Sequence, residues 1–310
     1  MPSAPNFDTL LPKTSNPHKV AIRTKLIGVL NSHGEILPSA DSPRGKLWHL
    51  VNSPESTVDD CEEVILLDTA LASRIFRVAN SGVYGHRTDS ISNAIRRLGL
   101  KFVREQVFNA GVFQQYSTWV LPKEWDLFWL RCIFTARLCE RISSKFGVTN
   151  GSEYLIGLVH DIGWLFLATY VPDEFTMLFT CGKPIGQAEK QFLPFDHAEI
   201  SAAIAARAGL PPRDVDATLH HHDTSVMDIV GATPQKTFRF LAMILSVCDK
   251  IADSYQMNMF AQTTRTMEQI QEGPEVQFLG KFGDMQNLLA LAEEELARAQ
   301  QTFDVFFSHD

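Results

Sequence analysis

The chain has 310 residues, of which 45% are hydrophobic and 21% charged, and its formal charge is −8. That is enough apolar material for one large domain or two modest ones, and the acidic balance argues against duplex DNA or an anionic membrane as partner. No apolar run reaches membrane-spanning length, no basic-then-apolar leader opens the chain, and five scattered cysteines without a CxxC pair read as reduced thiols of a cytoplasmic protein.

Residues 1–18 are polar and proline-bearing and are expected as a loose arm. Thr57, with Asp60 three residues on, can cap a helix carrying Val64, Ile65 and Leu67. Asp68 can cap the next, which places Leu71, Ile75 and Val78 on one face and stops at Asn80-Ser81-Gly82. Ser90 opens a helix with Ile91, Ile95 and Leu98 inward, Gly99 closes it, and another begins near Leu100. After Pro122 a long helix carries a broad stripe from Trp125 through Phe128, Trp129, Cys132, Ile133, Ala136, Cys139 and Ile142 to Phe146, with Gly147 at its end. Ser152 is expected to cap a very apolar helix reaching Tyr170. Asp196 and Glu199 form a capping box for a helix over Ile200, Ile204 and Ala208, and Pro211-Pro212 start one that ends in His220-His221-His222. A helix over 236–255, a polar stretch over 262–283 and a final helix with Leu288, Leu289, Leu291, Leu296 and Ala299 complete the chain. No strand alternation interrupts this pattern, so the fold class is all-α. The expected organisation is the arm over 1–18, helical halves over 19–122 and 123–255 sharing a core, and an extension over 256–310.

The chemistry concentrates in Leu155–Ala168, where His160 and Asp161 are the strongly polar side chains in an otherwise apolar run. A helix that is apolar all round is buried, and a buried carboxylate needs a metal, an arginine, a histidinium or several N–H donors. Asp249 repeats the pattern, with Leu241, Leu245 and Ala252 at helical spacing from it. His222 shares a face with Val215 and Leu219, and His197 lies beside the Asp196 cap. Imidazoles with carboxylates suit Fe, Mn or Zn, and two such ions activate water for phosphoester cleavage. Spacing alone leaves this open. A single histidine on an apolar face is more often a satisfied core residue. The His220–His222 run reads equally as a helix end whose imidazoles meet the C-terminal dipole, and at least one of the three must point away from the others.

Gly157-Leu-Val-His160-Asp161-Ile-Gly163 resembles the HD signature of the HD superfamily of metal-dependent phosphohydrolases. Leu67-Asp68-Thr-Ala-Leu71, Asn80-Ser81-Gly-Val-Tyr84-Gly85, Ala94-Ile95 to Leu98-Gly99, Asp196-His197-Ala-Glu199, Gly209-Leu-Pro211 and His221-His222-Asp223 follow in the order of HDOD domains, the HD-related output domains. The resemblance covers about 24–255 and implies an all-α helical bundle of a bacterial signalling protein. It carries the metal-ligand positions onto His160, Asp161, His197, His221, His222 and Asp249, with Asp161 catalytic only when metal is bound. The chain departs from the pattern at three places. Arg131, in Trp129-Leu-Arg131-Cys132, stands where a ligand histidine is expected. Trp164 replaces a lysine. Thr224-Ser-Val-Met follows the histidine run where a GYP motif would mark a cyclic-di-GMP phosphodiesterase.

A fixed positive charge about 5 Å from a divalent ion costs on the order of 6 kcal/mol at an effective dielectric of 20, about four decades of affinity. Arginine does not readily release its proton. Arg131 is therefore expected to take the cation's place and pair with Asp161 or Asp249, the other reading being that it snorkels outward and leaves a partial site. The expected function is a regulatory, non-catalytic scaffold with a degenerate site, no cofactor, a protein partner in signalling, no nucleic acid and no membrane; a homodimer stays open. The alternative is a phosphohydrolase of nucleotides or phosphodiesters using Fe, Mn or Zn. A DNA-binding reading of the two helices around Gly99, over 90–107, is opposed by the acidic charge.

Overall fold

The structure, a computed structural model, describes residues 7–32, 50, 57–66, 69–80, 88, 90–100, 102–103, 106, 124–147, 152–207, 210–223, 238–257, 265–281 and 284–307. Among the described residues the regular structure is helical throughout, without a strand. They fall into two compact units, one of residues 1–33 and 121–300, the other of 34–120 and 301–310.

In the first unit, α1 (Phe7–Leu10) precedes α2 (Pro17–Ser32). Phe7 and Leu11, from the stretch expected as a loose arm, are buried. Arg23 of α2 ties that stretch down through Asp8 at 2.6 Å and the Pro12 carbonyl at 2.8 Å. The second unit holds α3 (Val58–Leu66), α4 (Thr69–Ala79) and α5 (Ile91–Leu98), packed around Cys61, Ile65, Leu71, Ile75, Ile91 and Ile95. The Thr57 cap forms as its spacing requires: the Asp60 amide donates to Thr57 Oγ1 and the Thr57 amide to the Asp60 carboxylate. Ser90 accepts from the Asn93 amide, and the Gly99 amide donates to the Ile95 carbonyl. Leu67, Asp68 and the Ser81–Gly85 motif lie outside the described residues.

The helices that build the site are among those that follow. α6 (Glu124–Lys145) buries the expected stripe, including Phe128, Trp129, Cys132, Ile133, Ala136, Cys139 and Ile142. The single helix expected from Ser152 to Tyr170 is two, α7 (Glu153–Val159) and α8 (Ile162–Tyr170), with the break at His160-Asp161. Asp161 leaves helical geometry at φ −107°, ψ 6°. Residues buried on both sides of a break keep an unbroken apolar pattern, so hydrophobicity does not mark it. Ser152 makes no side-chain cap; its hydroxyl donates to Asp214 Oδ2 at 2.5 Å instead.

α9 (Pro172–Thr180) and α10 (Ile185–Phe192) fill a stretch in which periodicity marks no element. α11 (His197–Arg207) starts at the expected box, with Asp196 and Glu199 exchanging amide-to-carboxylate bonds of 2.8 Å. α12 (Pro212–Leu219) and α13 (Phe238–Ser254) follow. α14 (Met267–Gln271) and α15 (Pro274–Gly280) occupy the polar stretch, and α16 (Leu288–Phe307) closes the described chain. Among the described residues no single helix is long and apolar enough to cross a membrane.

Two glycines bring the surrounding helices to the break. A Cβ on Gly157 would lie 2.5 Å from the Ala136 Cα, so α7 presses directly against the α6 backbone. A Cβ on Gly163 would strike the His197 backbone carbonyl, and the Gly163 amide donates to Ser201 Oγ at 2.8 Å, so α8 presses equally against α11. Both glycines flank His160-Asp161, and their close approaches fix its distance to Arg131 on α6 and His197 on α11.

Gly157→Ala is expected to force α6 and α7 apart and to destabilise the fold by about 1–3 kcal/mol. Urea unfolding would show this as a lower midpoint with an unchanged slope.

Candidate metal centre

The break between α7 and α8 ends one helix and starts another at His160 and Asp161, and these two side chains face residues of α6, α11, α13 and the turn after α12. His160 is fully buried; its Nδ1 donates to the Gly157 carbonyl at 2.7 Å. That bond aims Nε2 at Asp249 Oδ1, 3.2 Å away, and at Asp161 Oδ2, 3.4 Å away. His221, just past α12, is built the same way: its Nδ1 donates to the Thr218 carbonyl at 2.6 Å, and its Nε2 lies 3.6 Å from Asp161 Oδ1. His197, the first residue of α11, donates from Nδ1 to Glu189 Oε1 at 2.8 Å, while its Nε2 lies 3.5 Å from Asp161 Oδ1. In each ring an outer partner fixes the orientation and leaves Nε2 facing inward, the arrangement that supports metal-ligating histidines. His222 is exposed and brings its Nε2 to 2.9 Å from that of His197.

The two oxygens of Asp161 therefore face different surroundings. Oδ2 faces His160 and Arg131, whose Nε is 3.5 Å away. Oδ1 faces His197 and His221. Oδ1 and His221 Nε2 are buried without a hydrogen-bond partner, which is costly for polar atoms shut away from water. Donor atoms within 4.8 Å of one another form two groups that share Asp161: Asp161, His197, His221 and His222 on one side, His160, Asp161 and Asp249 on the other.

Arg131 closes the second group. It is 8% exposed on α6. Its Nη2 is ion-paired with Asp249 Oδ1, and its Nη1 reaches Asp253 Oδ1 at 2.6 Å and the Met257 carbonyl at 3.3 Å. The guanidinium does not snorkel outward. It spans three carboxylates, so both aspartates named as its partners from the sequence, Asp161 and Asp249, are engaged.

All six carried-over ligand positions, His160, Asp161, His197, His221, His222 and Asp249, converge with Arg131. His220 is the histidine that points away, with its Nδ1 3.6 Å from Asp223 and its ring against Phe238. Two contributors escape a reading of the sequence. Asp253 lies one turn beyond Asp249 on α13 and is legible in principle from the i, i+4 rule. Glu189 sits in α10, a short polar helix without a periodic signal. Trp164, where the resembled family has lysine, stacks on His197 with centroids 4.2 Å apart and planes at 16°.

The electrostatics follow from burial against neighbours. Burial works against the Arg131 charge, but Asp249, Asp253 and Asp161 outweigh it and hold the guanidinium protonated. Burial pushes the Asp249 carboxyl up, and Arg131 reverses this to leave it below the usual carboxylate range. Asp161 is likewise held low, chiefly by His160, against its own burial. Burial opposes charge on His160 too, yet Asp161 and Asp249 raise it to about 10; Glu189 and Asp161 raise His197 to about 9.

A profile of the HDOD domain family matches residues 37–224. The chain is 23% identical over 223 residues to an uncharacterised protein of Treponema pallidum, a match that covers 67% of this chain and 42% of that protein. The chain thus spans about two fifths of that relative's length. Among solved structures, an HDOD domain protein of unknown function from Geobacter sulfurreducens superposes with a TM-score of 0.71 at 22% identity, covering 93% of this chain and 100% of that one. A candidate phosphohydrolase from Shewanella amazonensis SB2B gives 0.65 at 22% identity, with 91% and 96% covered. A candidate signal transduction protein from Marinobacter aquaeolei VT8 gives 0.64 at 18% identity, with 94% and 66% covered. At these identities the likeness establishes the fold.

Two expectations follow from the charge arrangement. Arg131→Met leaves buried carboxylates unpaired and should cost about 3–5 kcal/mol in urea unfolding, whereas a loss below about 1 kcal/mol would mean the guanidinium is not held there. Folded His160 and His197 bind protons more tightly than a free imidazole, so their contribution is complete below pH 6.5 and is lost as pH rises through about 9 to 10. The depressed carboxylates contribute above 3.8 and lose that contribution as pH falls below it. Unfolding in the presence of chelator should therefore show stability declining from pH 6.5 upward, with a shallower decline in His160→Gln.

Proposed function

Because the chain belongs to the HDOD domain family, we propose that it is a regulatory module of signal transduction, non-catalytic, in which Arg131 replaces one cation of an HD-type centre. The observation that carries this reading is the Arg131 guanidinium, buried between Asp249, Asp253 and Asp161. Two-ion phosphoester hydrolysis needs one ion to generate hydroxide and another to hold the leaving side. Arginine in the second position supplies fixed charge but exchanges no ligand and activates no water.

The residues present divide in how well they would fit metal. His160, Asp161 Oδ2 and Asp249 already face a cation, and a divalent ion there would meet the guanidinium at close range. His197, His221, His222 and Asp161 Oδ1 gather four potential ligand atoms, two of them unpartnered, and a metal held there would displace the proton that His197 holds and would act as a Lewis acid. On the protein side, Glu189 and the Thr218 carbonyl orient the two buried imidazoles, and Trp164 covers one face of His197. Trp164 also removes the lysine charge that would help an anionic substrate to bind. In this reading the module answers to a protein partner within the cytoplasm and works through its helical surfaces, without turnover.

The surviving histidines favour a second reading, hydrolysis of a nucleotide or phosphodiester. Incubation of the purified protein with bis(p-nitrophenyl) phosphate and Mn(II), Fe(II) or Zn(II) decides between them. The scaffold reading expects release no faster than metal alone. Release that chelator abolishes would replace it with the hydrolase reading.

A further inference from the structure

The C-terminal extension forms a cleft that shares no residue with the buried centre. It lies between α14, α15 and the segment 284–286 that leads into α16, and its volume is about 530 Å3, the size of a small-ligand pocket. Its floor is apolar, with Val276 and Met285 both buried. Its rim is polar, made by the exposed side chains of Gln271, Gln277, Gln286 and Asp284. Hydrogen bonds set which rim atoms remain available. The side-chain nitrogen of Gln271 donates to the Met285 carbonyl at 3.3 Å, and that of Gln277 to the Glu272 carbonyl at 2.9 Å. Each bond turns the amide nitrogen to the backbone, so the two Oε1 atoms are left as acceptors. Asp284 Oδ1 accepts from the Gln286 backbone amide at 2.7 Å, which holds the carboxylate at the rim and leaves Oδ2 uncommitted.

Acceptors and one negative charge over an apolar floor select a cation on a hydrocarbon stem. An anion would meet the Asp284 carboxylate with no cation among the lining residues to offset it. An ammonium or guanidinium carries donors alone, and its methylene stem lies on apolar surface while the charged head stays in water. We propose that this cleft binds an arginine or lysine side chain presented by a protein partner, with the stem on Val276 and Met285 and the cation among Gln271, Gln277 and Asp284. One exposed carboxylate holds a lone cation only about two- to fivefold more tightly than none, so firm binding needs further contacts. The spare N–H of each amide and the Gln286 side chain offer them to a peptide backbone. Along 265–286 the exposed acids Glu268, Glu272 and Asp284 outnumber the exposed bases Arg265 and Lys281, in a chain of formal charge −8, which favours a basic partner. The cleft is independent of the role of Arg131, and either can fail without the other.

The test uses the full chain, isotope-labelled at its eight methionine methyl groups, with the Met285 NMR signal assigned by its loss in Met285→Leu. Titration with acetyl-Ala-Arg-Ala-amide, or its lysine counterpart, should move that signal saturably. The same tripeptide with glutamate in the central place should not. Asp284→Asn, an exposed position where thermal unfolding can confirm the fold, should weaken binding about two- to fivefold. Spermidine and n-butylguanidinium, which lack a peptide backbone, should bind more weakly than the tripeptides. A Met285 signal that neither basic tripeptide moves would overturn the site. Equal movement by the glutamate tripeptide, or unchanged affinity in Asp284→Asn, would overturn the preference for a cation. A free amine that binds as tightly as the tripeptides would overturn the protein partner as occupant.

Discussion

A buried guanidinium facing three carboxylates is the constraint on which this centre depends. Asp161 and Asp249 lie in an apolar interior that could not hold both negative charges without a cation, since the desolvation of each carboxylate is worth several kcal/mol. Arg131 supplies that cation to Asp249 from α6, with Asp253 completing its surroundings, while His160 is the chief counter-charge of Asp161. The consequence reaches beyond charge balance. An arginine is covalently fixed, permanently charged and unable to exchange ligands, so the side of the centre it fills is permanent where a metal would come and go.

The architecture places that constraint by backbone approach rather than by side-chain reach. Gly157 lets α7 touch α6 and Gly163 lets α8 touch α11, so the break between α7 and α8 is held against two of the elements that supply its partners, α6 with Arg131 and α11 with His197. The break turns the two Asp161 oxygens to opposite sides. One oxygen meets Arg131 and His160, and the other meets two imidazoles whose outer nitrogens are already engaged. A single carboxylate thus separates a closed half-site from one with unpartnered donors.

Much of this was legible in the residues, for identifiable reasons. The capping boxes at Thr57 and Asp196 are local, involve residues three apart, and form as read. The stripe of α6 is long enough for its period to be unambiguous. The convergence of His160, Asp161, His197, His221, His222 and Asp249 came from motif order; spacing alone left it open. The break at His160-Asp161 was hidden because residues on both of its sides are buried, and an apolar run carries no sign of where a helix turns. Phe7 looked like part of a loose arm because its anchor, Arg23 on Asp8 and Pro12, is not visible as a pattern. Asp253 was within reach of the i, i+4 rule. Glu189 was not, because an acid in an eight-residue polar helix looks like an ordinary solvated side chain.

The most direct test of the claim that Arg131 stands in for a cation is a double-mutant cycle between Arg131→Met and Asp249→Asn, read by urea unfolding with chelator present. If the guanidinium neutralises that carboxylate, each single variant is strongly destabilised and the double variant recovers much of the loss, with a coupling of about 2 kcal/mol or more. Additive losses, with no coupling, would contradict it.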